Sequence, residues 1–141
     1  MFKIYLVTFL FFTNLYSASI GIIEQGVKDK TEQAYALISR HGKTIIVYHL
    51  NFVVKKDDKI KTFRRSRLTI RLNDNTVIKM GKKTTLIIDK YVYDVRSRKK
   101  NYAANFRISN GSFQIKTGRI GEISPRNFKI KTKFSTIGLR G

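Results

Sequence analysis

Turn signals punctuate this chain about every 8–12 residues, and the runs between them alternate apolar with polar side chains. His41-Gly42, Asp74-Asn75, Gly81-Lys82-Lys83 and Asn110-Gly111 are the clearest breaks. Ser66 to Asn73 sets Leu68, Ile70 and Leu72 on one face. Phe128 to Phe134 sets Phe128, Ile130, Thr132 and Phe134 against Lys129, Lys131 and Lys133. Side chains of a strand alternate with period two, so each run reads as a strand with one buried and one solvated face. Thr44 to Leu50 and Thr84 to Tyr93 are rich in β-branched and aromatic residues and read the same way. Ile20 to Gln25 is a short apolar strand closed by Gly26. Ala34 to Ser39 mixes helix and strand formers and, at that length, reads as strand. No long helical pattern appears. The expectation is an all-β domain, a stack of short antiparallel strands and hairpins, solenoid-like or sandwich-like; pattern alone leaves a barrel open too.

Finer expectations follow from the same signals. Asp74-Asn75 predicts a two-residue hairpin loop, and Asn110-Gly111 is the strongest short hairpin signal in the chain. Asp94 to Asn105, which carries Arg96, Arg98, Lys99 and Lys100, reads as an exposed loop. Thr136-Ile-Gly-Leu-Arg-Gly141 places two glycines around Arg140 and reads as a segment packed closely against a neighbour.

Residues 1–19 carry an export pattern. Lys3 supplies a positive start, Ile4 to Phe12 an apolar run, and Ser17-Ala18-Ser19 small residues for cleavage. The run is too short for an ordinary spanning helix, which needs about 20 apolar residues. The expected organisation is a signal peptide over 1–19, a mature β domain over 20–141, a periplasmic location, and no transmembrane segment after cleavage.

Lys and Arg number 29 against nine Asp and Glu, a formal net charge of +20. Such a balance favours anionic partners. Export argues against nucleic acid and turns attention to an envelope protein or an anionic envelope surface. The sharpest basic clusters are Arg64, Arg65 and Arg67, and Arg96, Arg98, Lys99 and Lys100; together they form the candidate patch for an anionic partner. The chain has no cysteine, which excludes disulfides and Cys-based metal sites. His41 and His49 lack an evident third ligand, and Asp57 and Asp58, adjacent on an extended chain, point to opposite faces. No catalytic constellation is read, and no metal or cofactor is expected.

Several stretches resemble the FecR domain, a periplasmic β-rich module. Asp58, Ile60 and Thr62 resemble its "G-D-x-I-x-T" pattern, with Asp57 where the family prefers Gly. Leu68 to Ile88 is similar to its "L-x-L-x-D-G-S-x-I" run, with Asp74 kept and Asn75 standing for Gly. Gly111, Phe113, Thr117 and Gly118 match a further element, and Thr136, Ile137, Gly138, Arg140 and Gly141 resemble the closing "T-I-G-V-R-G". Asp and Asn tolerate positive φ better than most residues, so both turns are expected to survive the loss of Gly. The resemblance implies a non-enzymatic exported domain that mediates protein interaction or signalling. Family members in iron signalling add a cytoplasmic anti-sigma segment and a membrane helix, neither of which is read here. The alternative reading is a basic envelope-binding module for anionic lipid or cell-wall polymer.

Overall fold

The structure, a computed structural model, describes residues 18–96 and 101–139. The leader through Ser17, and Arg98, Lys99, Lys100, Arg140 and Gly141, lie outside the described residues. The strands are β1 (Ser19–Val27), β2 (Ala36–Arg40), β3 (Lys43–Val47), β4 (Phe52–Lys55), β5 (Lys59–Thr62) and β6 (Arg67–Leu72). They continue with β7 (Val77–Met80), β8 (Thr85–Val92), β9 (Ala103–Ser109), β10 (Phe113–Lys116), β11 (Phe128–Lys131) and β12 (Thr136–Gly138). A five-residue helix α1 (Arg119–Ile123) and a 3-10 turn (Pro125–Asn127) separate β10 from β11. β1 starts at Ser19, one residue inside the stretch read as the leader.

These strands make two sheets, a five-stranded one in the order β10-β7-β6-β1-β4 and a seven-stranded one in the order β12-β11-β9-β8-β5-β2-β3. The alternation seen in the sequence is what closes them on one another. Leu68, Ile70 and Leu72 of β6 and Ile78 and Met80 of β7 meet Ile60, Leu86, Ile88, Phe106 and Ile108 of the other sheet in a single buried cluster. Two layers over one core make the fold a sandwich. All strand pairs are antiparallel except β9 with β11, which run parallel because the chain crosses through α1 between them.

A bulge between Ile88 and Lys90 rephases β8. Without the extra residue Lys90 would follow Leu86 and Ile88 inward; with it, Tyr91 is buried and Lys90 faces solvent.

Five expectations are corrected. The Asn73–Asn75 loop between β6 and β7 holds three residues, closed by the Asn75 amide on the Leu72 carbonyl, with only Asn75 at positive φ; it is the three-residue hairpin form and not a two-residue one. Asn110 and Gly111 both have positive φ, yet they join no hairpin: β9 pairs in the seven-stranded sheet and β10 in the five-stranded one. The alternating run from Phe128 breaks after Lys131, because Thr132 and Ser135 bond to each other and turn the chain back into β12; Phe134 is 91% exposed rather than inward. Residues 136–138 form an open edge strand in which all three residues are exposed, and open space surrounds Gly138. The exposed loop is also shorter than expected, since Tyr102, Ala103 and Ala104 are buried. β4 has no Gly or Pro ahead of it to mark it off from β3 in the sequence; Asn51, at φ 63°, makes the break.

Candidate functional site

Among the passages from one sheet to the other, those between β5 and β6, between β7 and β8, and between β9 and β10 lie at the same end of the sandwich. These three corners lie against one another. Thr62 Oγ1 donates to the Gly81 carbonyl at 2.7 Å and accepts from the Thr84 amide at 2.8 Å. Thr84 Oγ1 accepts from the Ser112 amide at 3.1 Å, and the Lys83 amide donates to the Phe63 carbonyl at 3.0 Å. Gly111 is required here for space as well as for its φ of 63°, because a Cβ would overlap Thr84 Oγ1 and the Lys82 carbonyl. The end of β1 joins the stack through Asp29, whose buried carboxylate accepts from the amides of Thr31, Glu32 and Arg65. The Glu32 amide, ahead of those of Thr31 and Arg65, holds the Asp29 carboxyl below its usual range despite desolvation.

The opposite end is tied by Asp74, which is fully buried. Its Oδ1 accepts from the Tyr91 hydroxyl at 2.7 Å, and its Oδ2 accepts from Thr76 Oγ1 at 2.8 Å and from the Ile120 amide at 3.0 Å. Burial first, then the bond to Asp74, pushes the Tyr91 hydroxyl well above its ordinary value, so it stays a proton donor. Gly118 lies against the same loop, where a Cβ would overlap the Asp74 carbonyl.

Asp58 is the third tie. It is fully buried and takes a bidentate pair from Arg40, Nε and Nη2 each at 2.8 Å, together with the Lys55 amide. The bond to Asp58 raises the Arg40 guanidinium further. Asp57 holds the neighbouring turn at φ 68°, and Asn75 does the same at 67°, as read from the two Gly replacements. Arg40 was not singled out from the sequence; a lone Arg ending a strand gives no sign that it will meet an acid 18 residues away.

The family-motif side chains Asp58, Thr62 and Asp74 are thus buried acceptors and donors that hold turns. No buried side-chain polar atom among the described residues lacks a partner. His41 lies in the β2–β3 turn, His49 is exposed beyond β3, and no group of three metal-ligating residues occurs among the described residues.

The basic residues divide. Arg64, Arg65 and Arg67 sit at the corner end, where the structure adds the exposed Lys82 and Lys83 beside them. Arg96 follows the far end of β8, so it does not join them; eight strand residues, about 25 Å at the usual rise, intervene. Lys59, Lys61, Lys90, Lys129 and Lys131 are exposed on the outer face of the seven-stranded sheet, where Asp89 pairs only with Arg107 and raises that guanidinium.

Comparison with protein families matches the family described as FecR protein over residues 58–141, more than half of the chain. The chain belongs to the FecR family. Searches of curated proteins and of solved structures return no match. The family is a regulatory, non-enzymatic one, and the FecR match begins at Asp58, so the first four strands fall outside it. They are nonetheless integral to the fold, since β1 lies between β6 and β4 and contributes the fully buried Ile23. No helix among the described residues is long and apolar enough to cross a membrane.

Proposed function

We propose that this chain is an exported, non-enzymatic FecR-like domain that acts by protein interaction or signalling in the periplasm. One observation carries the reading. Asp58, Thr62 and Asp74, side chains through which the chain resembles FecR proteins, are buried and engaged in holding corners and loops, which leaves recognition to the surface. Residues 1–19 supply the route of export. The test is fractionation of cells expressing the full chain, with N-terminal sequencing of the recovered protein. Mature protein starting between Ala18 and Ile20 in the periplasmic fraction, cross-linking to an envelope protein, is the expected result. Intact chain beginning at Met1 in the cytoplasm overturns it.

A second reading, a basic module for an anionic envelope component, is favoured by the corner end. There Arg64, Arg65, Arg67, Lys82 and Lys83 are exposed and outnumber the acids, since Asp29 is buried on backbone amides and Glu32 is the exposed acid of that turn. Arg96 belongs to a separate surface, and Arg98, Lys99 and Lys100 lie outside the described residues.

A further inference from the structure

The β11–β12 turn ends in the most exposed large apolar side chain among the described residues, Phe134, at 91%. Its position follows from register. Lys131 pairs with Arg107 on the parallel strand β9, which itself runs on to the Asn110-Gly111 corner, so the turn over residues 132–135 lies at the corner end. Phe134 therefore lies at the same end of the sandwich as Lys82 and Lys83, with β9 and β8 between β11 and β5 in the sheet order. Lys133 Nζ lies 5.8 Å from the Phe134 ring centroid.

We propose that this corner end docks on an anionic phospholipid bilayer, with Arg64, Arg65, Lys82, Lys83 and Lys133 facing the headgroups and Phe134 entering the interface. The inference deepens the second reading above and rests on it. Charge complementarity selects an anionic partner, and none of these five side chains has an ion-pair partner among the described residues. The protruding Phe134, with Val27 also exposed at the end of β1, selects a bilayer. A single apolar side chain on a turn tip, flanked by lysine, gains from the headgroup–acyl boundary without a shaped pocket. The cations lie on hydrogen-bonded corners, so they are presented together at one end rather than scattered. Attraction to an anionic surface is additive over such cations and fades within a Debye length, about 8 Å at physiological salt.

The chain has no tryptophan, so the Phe134→Trp variant carries one clean fluorophore. With vesicles of phosphatidylglycerol and phosphatidylcholine its emission should shift to the blue, and with soluble polyphosphate it should not. The triple change Arg64→Gln, Lys82→Gln, Lys83→Gln should lower vesicle partitioning by about 100-fold, at roughly fivefold per cation. An equal removal of charge from the outer face of the seven-stranded sheet, Lys59→Gln, Lys90→Gln, Lys129→Gln, should change it less than about fivefold. If the two triples lose the same amount, the attraction belongs to the whole +20 chain and the proposal fails. Polyphosphate binding without a blue shift on vesicles overturns the lipid assignment and leaves the basic-module reading standing. Binding to neither overturns both. Should the corner triple fold poorly, the single Lys82→Gln change, on an exposed side chain, gives the fivefold step alone.

Discussion

The Tyr91 hydroxyl donates to Asp74 Oδ1 at 2.7 Å and accepts from the Asp74 amide at 3.0 Å, joining a strand of one sheet to a hairpin loop of the other. Both residues are buried. The bulge in β8 is what aims Tyr91 inward, and the same carboxylate also orders the first turn of α1 through Ile120. Tyr91→Phe leaves a buried carboxylate short of one donor and should cost about 1–3 kcal/mol. Asp74→Ala strands the Tyr91 hydroxyl, Thr76 and the Ile120 amide together, so it should cost more than Tyr91→Phe in urea denaturation. An Asp74→Ala protein as stable as Tyr91→Phe would show that the other donors find solvent.

Arg40 and Asp58 form the most deeply buried ion pair among the described residues, with side-chain exposures of 17% and 0%. Removing Arg40 leaves Asp58 buried and charged, so Arg40→Ala should cost about 3–5 kcal/mol. Adding Asp58→Asn to Arg40→Ala should recover part of that loss, because the uncompensated charge is gone. A strictly additive double mutant would contradict direct coupling.

Three glycines should separate by their surroundings. Gly118→Ala meets the Asp74 carbonyl and the Thr76 amide, both backbone, and should destabilise most. Gly42→Ala has open space but a φ of 75°, and should cost about 1–2 kcal/mol. Gly138→Ala has open space and no such φ, and should stay within about 0.5 kcal/mol of wild type. The order of the three melting temperatures checks this directly.

Asp29 gives the fold an acid sensitivity at the corner end. Its folded-state pKa is depressed below the ordinary 3.8, chiefly by the Glu32 amide. Stability from such a group is complete above the unfolded value and is lost as pH falls through the lower folded value. Asp29→Asn cannot ionise, so its stability should fall less steeply than wild type below about pH 4. Denaturation at a series of acid pH values checks it, and parallel curves would assign the acid loss elsewhere.

The sequence by itself determined most of the strands and their faces, though not β4 or the end of the run from Phe128, because alternation with period two is a local property of an extended chain. Leu68, Ile70, Leu72, Phe128 and Ile130 are all buried as their alternation required. It also determined where the backbone would turn: Asp57, Asn75, Asn110 and Gly111 take positive φ because their own side chains, or the lack of one, tolerate it. Only the tertiary structure decided which strands those turns join. Asn110-Gly111 carries hairpin chemistry yet leads from one sheet to the other, since Thr84 and Ser112 dock the corner against its neighbours. Likewise the sequence placed the arginines in two clusters but could not say that eight strand residues separate Arg96 from Arg64 and Arg65, or that Lys82, Lys83 and Phe134 join the latter. Those neighbours are fixed by hydrogen bonds between residues tens of positions apart, and no local spacing encodes them.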